Sequence, residues 1–193
     1  MAPMETDRKT LIADAAIELL GTLGARGLTH RAVDAQAELP AGSTSFYCRT
    51  RLDLLALTLK RHAALDLADL ELDAQRMATK ASLSVDGLVD LLAARVADWL
   101  SSPKRPRLVA RFELFLMASR EPALAEIITE QRQYFLQATE AALKHAGVPK
   151  PRMLAPILVV LVDGMLLDQV RANGPVATSA QHKAALQRLL VSP

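Results

Sequence analysis

Residues 40–51 read PAGSTSFYCRTR and bring together Ser43, Thr44, Ser45, Phe46, Tyr47, Arg49, Arg51 and the chain's single cysteine, Cys48. A serine nucleophile is the first chemistry such a run suggests. However, AGSTSF lacks the second glycine of a G-x-S-x-G elbow, and no strand pattern precedes it. One cysteine excludes an internal disulfide and a Cys-x-x-Cys site, and fits a reducing compartment. His30, His62, His145 and His182 are scattered, with no pair at the spacing of a helical metal site. His62 and Asp66, at i and i+4, read as a surface pair. With no constellation of nucleophile, base and metal, catalysis is not expected, nor is a cofactor or a bound metal. What remains is recognition of a polyanion. Ala41 and Gly42 permit close approach, the hydroxyls reach phosphates or base edges, the rings lean on sugar and phosphate, and the arginines add charge.

Such residues act only if helices hold them. Ile12, Ala15, Ala16, Leu19 and Leu23 follow the helical period, with Thr6 or Asp7 as a cap and Gly24 and Gly27 at the end. Thr29 caps a short second pattern through Ala32, Val33 and Ala37. From Arg51 a long helix carries Leu55, Leu59, Ala63, Leu67, Leu70 and Ala74 at spacings of four and three. After KASLS the pattern resumes at 85–100, breaks at SSPKRP, and resumes at 107–120 and 122–145. Beyond AGVPKP a helix is expected at 152–172, then NGP, then an amphipathic piece ending near Leu190. No stretch alternates as strands do, so the predicted fold is all-α, with no internal repeat. The 193 residues, 51% of them hydrophobic, suffice for a real core. The start MAPMETDRKT has no apolar run of the signal-peptide kind. The most apolar segment, 153–167, holds Pro156 and Asp163, is shorter than the ~20 residues of a membrane span, and reads as a buried helix. Two short helices joined by a tight turn, the second poor in helix formers, suggest a helix-turn-helix whose second helix enters a DNA major groove.

The first 55 or so residues resemble the DNA-binding domain of the TetR family of bacterial transcriptional regulators. The likeness is carried by the stretch GLTHRAVDAQAELPAGSTSFYCRTRLDLL, in which Gly42, Ser43, Thr44, Ser45, Phe46, Tyr47, Cys48, Arg51, Asp53, Leu54 and Leu55 occupy the family's places. Glu38 and Pro40 stand where the family commonly has a glycine and a serine cap, and Cys48 replaces a phenylalanine that packs under the helix. ARFELFLMASREPAL and LVDGMLLDQV resemble segments of the family's regulatory domain. The resemblance implies a three-helix DNA-binding domain at 1–52, joined by a long helix to an effector-binding and dimerisation domain at 53–193. It implies a cytoplasmic homodimer, apart from any membrane, that binds a palindromic operator in double-stranded DNA under control of a small, mostly apolar effector. Repression is the family's usual mode. The DNA contacts it implies are Thr29, His30, Arg31, Ala41, Gly42, Ser43, Thr44, Ser45, Phe46, Tyr47, Arg49 and Arg51. His30 reads equally as a phosphate contact or an ordinary exposed histidine.

Charge is positioned rather than abundant. Net charge is +2, and residues 1–60 hold seven basic and seven acidic side chains, yet between Leu39 and Leu52 there are two arginines and no acid. Affinity for DNA would then rest on dimerisation and hydrogen bonds more than on bulk charge. For the effector pocket the candidates are Leu65, Trp99, Phe112, Phe115, Met117, Tyr134 and Asp163; an aromatic stripe at helical spacing reads as core just as readily. An acid inside VVLVDGMLL requires a polar partner, a pocket or a subunit boundary. By resemblance the helices at 122–145 and 152–172 would form a four-helix interface with their symmetry mates. The alternatives are a small helical ligand-binding protein or enzyme without DNA binding, and a helical interaction module whose N-terminal region only resembles a DNA reader.

Overall fold

The computed structural model describes residues 2–78, 83–171 and 176–191. Among them every regular element is helical: α1 Ala2–Gly27, α2 His30–Gln36, α3 Ser43–Tyr47, α4 Arg51–Ala78, α5 Val85–Trp99, α6 Arg105–Ala118, α7 Pro122–His145, α8 Pro151–Arg171 and α9 Ser179–Val191, with one 3-10 turn at Ser102–Lys104. Of the break read at 80–84, residues 80–82 lie outside the described residues, as does the one at 173–175, while Ser84 caps α5 by accepting the Gly87 N–H. The start of α1 differs from expectation. The helix already runs from Ala2, so residues 6 and 7 lie inside it rather than capping it. At its other end Gly24 leaves helical geometry at φ 66, a left-handed value that glycine adopts without a Cβ penalty.

The chain packs as two compact units, residues 1–66 with 105–130, and residues 67–104 with 131–193. This division differs from a boundary at 52–53. The reason is packing: Ala110 and Leu114 of α6 and Leu124 of α7 share one core with Ile12, Ala16 and Leu20 of α1, Leu28, Val33 of α2 and Leu54 and Leu59 of α4. At Gly21 a Cβ would stand 2.0 Å from the Pro106 carbonyl oxygen, so α1 and α6 meet where only glycine fits. Arg61 of α4 clamps Asp14 of α1 with two bonds, of 2.7 and 3.0 Å.

His62 and Asp66 are not the surface pair expected from their spacing. Both are buried, at 4% and 5% exposure. The His62 ring donates to the Arg107 carbonyl at 3.1 Å, while Asp66 accepts from Arg107 and from Arg111. Burial alone would raise the Asp66 carboxyl, but His62, Arg111 and Arg107 outweigh it and hold it below the carboxylate range. Burial is the main reason that His62 is held below the usual histidine value. A buried charge is tolerable because its partners arrive from α6.

In the second unit the core gathers Leu88 and Val89 of α5, Leu143 of α7, Ala155, Leu158 and Met165 of α8, and Leu186 and Leu190 of α9. Helix α8 was expected to be buried; only one of its faces is. Met153, Ile157, Val160 and Leu167 are 66%, 52%, 60% and 43% exposed, and the spacing of four, three and seven sets them in one stripe. Asp163 lies half-buried beside this stripe and Gly164 lies exposed within it. By length and composition α8 is, among the described residues, the one helix that passes as a membrane span. Pro156, Asp163 and the face packed into the core argue for a protein surface instead.

Candidate functional site

The short helices are held by a network that the sequence hides in plain residues. Thr29, extended at φ −128 and ψ 154, caps α2 by accepting the Ala32 N–H at 3.1 Å. From the middle of α2 the buried Asp34 carboxylate accepts the N–H of Gly42 at 2.7 Å and of Thr44 at 2.7 Å. This supplies from outside the cap that α3 lacks, since its N-cap residue is Gly42 at φ 90 with no side chain to offer. Burial pushes the Asp34 carboxyl up, but Thr44, Gly42 and the charge of His30 more than offset this, and the group ends below its ordinary value. The turn between α2 and α3 closes with Leu39 N–H on the Asp34 carbonyl at 2.8 Å and holds Glu38 at φ 53, the left-handed region. That is where the family commonly places glycine.

At the far end, His30 Nε2–H donates to the Cys48 carbonyl at 2.8 Å, tying the first residue of α2 to the C-cap of α3. Cys48 is 2% exposed beneath α3, and burial, with Asp53, pushes its thiol above the usual range. Arg51 donates to the carbonyls of Leu28 and Ala25, at the end of α1 and just beyond it. Thr50 and Asp53 then open α4 with a reciprocal capping box, at 2.9 and 3.0 Å.

These contacts sort the expected DNA residues. Arg31, Ala41, Gly42, Ser45, Phe46 and Arg49 are exposed, and Phe46 is 77% so. Tyr47 is half-buried, edge-on to Phe46 at 5.1 Å between ring centres, with the Lys9 ammonium 5.9 Å from its own ring centre. Ser43 is half-buried and donates to the Pro40 carbonyl at 2.6 Å. A shallow cleft of about 290 Å³ lies among Arg8, Pro40, Ser43, Phe46 and Tyr47. Thr44 departs from expectation: it is 0% exposed, so its hydroxyl does not stand at the surface beside Ser45. The cause is helical phase. Residues four apart share a face, and Thr44 shares that of the buried Cys48. Thr29, His30 and Arg51 carry structural contacts of their own, as a cap, a tie and a clamp. Asp34 was missed by sequence reasoning. Its signal is an acid in mid-helix followed, eight and ten residues on, by the N-cap and first turn of a helix without an acid.

The second unit contains a cavity of about 390 Å³ between the C-terminal half of α4 and helices α5, α7 and α8. Its wall is formed by Leu70, Ala74, Met77 and Ala78, by Leu88, Leu91 and Leu92, by Ala138, Ala141, Ala142 and Leu143, and by Leu158. Asp73, Arg95, Thr139 and His145 supply its polar atoms. None of the seven expected pocket residues lines it. Leu65, Phe112, Phe115 and Met117 belong to the first unit, where Leu65 and Met117 pack on the core and the two phenyl rings meet edge-on at 6.2 Å. In the second unit Trp99 is buried with its indole N–H on Asp69 at 2.8 Å, Tyr134 is 51% exposed and Asp163 is half-buried. Large side chains fill space; the cavity opens where five alanines leave it empty. Among the described residues no three His, Cys, Asp or Glu side chains converge as metal ligands do.

The family model of the tetracyclin repressor-like C-terminal domain matches residues 83–192, which is more than half of the chain. The chain belongs to the TetR family. The fold agrees with that of TetR regulators of known structure. A TetR family member from Streptomyces coelicolor A3 (SCO1917) shares 30% identity at a TM-score of 0.69, over 95% of this chain and 98% of that one. The multidrug binding protein EbrR in complex with ethidium shares 30% identity at a TM-score of 0.69, over 94% and 97%. A transcriptional regulator from Rhodococcus sp. Rha1 (RHA1_ro04179), at 20% identity and a TM-score of 0.74 over 95% and 94%, shares the fold. No curated protein sequence matches the chain. As a TetR-family member it is a transcriptional regulator, of a family generally without enzymatic activity.

Proposed function

We propose that this TetR-family chain is a cytoplasmic, non-enzymatic homodimer that reads a palindromic operator through α3 and is released from it by a small effector held in the 390 Å³ cavity. Repression, by obstructing polymerase, is the mode this reading favours. The observation that carries it is the exposed face of α3. Ser45 and Phe46 stand outward on a five-residue helix too short to persist without Asp34, with Arg49 just beyond its C-cap and Arg31 of α2 also exposed. In this reading Tyr47, Arg49 and Arg31 position the backbone of the duplex, with Arg8 available from α1, while Ser45 and Phe46 meet base edges. The two α3 helices of a dimer would stand ~34–36 Å apart to enter successive grooves.

Dimerisation is supported by the stripe of Met153, Ile157, Val160 and Leu167, apolar surface that a monomer would leave in water, with Gly164 allowing close helix approach. Val160→Glu should give a folded monomer by light scattering; an unchanged dimer would exclude this face. Effector control is supported by α4 alone. The same helix begins at Arg51, directly after the reading element, and lines the cavity from Leu70 to Ala78. A ligand acts only if it binds one conformation better than the other.

The deciding experiment is selection of bound fragments from random DNA, followed by fluorescence anisotropy on the selected duplex. Wild type should bind it in a salt-dependent way, and a Tyr47→Ala, Arg49→Ala double variant should not. Full binding by the double variant would remove α3 as the reader. A chain that selects no sequence would leave a ligand-binding protein without DNA binding.

A further inference from the structure

The two buried charged groups of the cavity wall, Asp73 and Arg95, are already matched to each other. Arg95 donates to both carboxylate oxygens of Asp73, at 2.6 and 2.8 Å, to Asp98 at 2.6 Å and to the Asp69 carbonyl at 3.0 Å. Asp73 also accepts from Arg76 at 3.3 Å. Lys104 donates to Asp69 at 3.2 Å and to Asp98 at 2.6 Å, and the Trp99 indole N–H completes Asp69. In these contacts three carboxylates face three cations. Asp73 and Arg95, the two members that reach the cavity, are 5% and 7% exposed. Thr139 donates its hydroxyl hydrogen to the Phe135 carbonyl at 2.7 Å and retains only acceptor capacity. The lining holds no Phe, Tyr or Trp among the described residues, and the remaining ionisable group on it, the exposed His145, is a base.

We infer that this cavity takes a neutral, apolar ligand and discriminates against planar organic cations such as the ethidium of the EbrR complex. The inference rests on the reading of the cavity as the effector site. A cation entering it would lose its water, and the one carboxylate on the wall among the described residues, Asp73, is already held by Arg95. Freeing Asp73 would take two of the four hydrogen bonds from the buried Arg95 guanidinium, which is costlier than leaving the pair intact. Nor is there an aromatic face to attract the charge. A neutral body gains from leucine, methionine and alanine walls and disturbs no ion pair. The volume is at the small end of the ~300–1,000 Å³ range of ligand sites and suits one or two fused rings rather than a large dye.

The test compares two fluorescent probes on the full chain: N-phenyl-1-naphthylamine, neutral, and ethidium, a cation. Each is titrated into wild type and into Ala74→Phe, which fills the cavity from an exposed position on α4; Ala78→Phe replaces it should that variant fail to fold. The expected result is that the neutral probe binds at least about tenfold tighter than ethidium and loses at least about tenfold in the filled variant. Ethidium binding as tightly as the neutral probe, and lost in the filled variant, would overturn neutrality while leaving the cavity as an effector site. Binding of neither probe, or binding that the filled variant leaves unchanged, would remove the cavity as a ligand site and both readings with it.

Discussion

Asp34→Ala is the most direct test of how the reading helix is held. The substitution removes two charge-assisted bonds to the N–H groups of Gly42 and Thr44. Each such bond contributes about 1.5–3 kcal/mol, but removing the carboxylate also removes the cost of burying it. The Gly42 amide sits in an exposed turn and can find water, whereas Thr44 is fully buried and its amide is left without a partner, at about 1–3 kcal/mol. The net expectation is a loss of about 3 kcal/mol, concentrated in α3. If that loss appears as disorder of α3 alone, DNA affinity should fall about 100-fold. Asp34→Asn keeps one oxygen acceptor without charge and should cost roughly half as much. The sign with pH follows from the lowered carboxyl: its stabilisation is complete at neutral pH and is lost as pH falls through that lowered value, below the ordinary 3.8. Urea unfolding and anisotropy on the selected duplex read the two effects separately. A cost under about 0.5 kcal/mol with unchanged affinity would refute the reasoning, because α3 would then be held by something other than this carboxylate.

Other consequences are equally open to measurement. Gly21→Ala places a methyl group against the Pro106 carbonyl, backbone that cannot rotate away, and should cost about 3 kcal/mol in thermal unfolding. Glu38→Gly relieves a left-handed residue and should raise stability by about 1 kcal/mol, read as a higher urea midpoint. His62 and His182 are both held below the usual histidine value, chiefly by burial, so each takes up a proton on unfolding. Stability should therefore be complete above about pH 6.5 and decline as pH falls below it, with His182→Gln flattening the slope.

How much of this was legible in the sequence depends on how local the cause was. The long α4 was plain because its apolar residues repeat at three and four, and the α2–α3 pair because Pro40, Gly42 and three hydroxylic residues interrupt a chain otherwise rich in helix formers. Which side of α3 faces out was not legible. In a five-residue helix the phase is set by what lies beneath, and Cys48, a small stand-in for a larger packing residue, gives little hint. Asp34 and Arg51 escaped for a related reason, since both act through backbone groups 8 to 26 residues away that a residue pattern does not display. The pocket candidates were chosen mainly as large side chains, and the cavity of about 390 Å³ is bounded by other residues, leucines interleaved with five alanines. Composition records which atoms are present, whereas a cavity is defined by where they are missing.

The single thiol sits beneath the helix proposed to touch DNA, and that makes the protein its own clock. Cys48 is 2% exposed in the core beneath α3, and burial raises its thiol above the usual range, so an alkylating reagent in solution gains access only when that core opens, by lifting of α3 or by wider unfolding. With no second cysteine to compete, the rate of labelling under native conditions counts those openings directly. If α3 reads DNA as proposed, a bound operator should slow that labelling, with no substitution introduced into the chain.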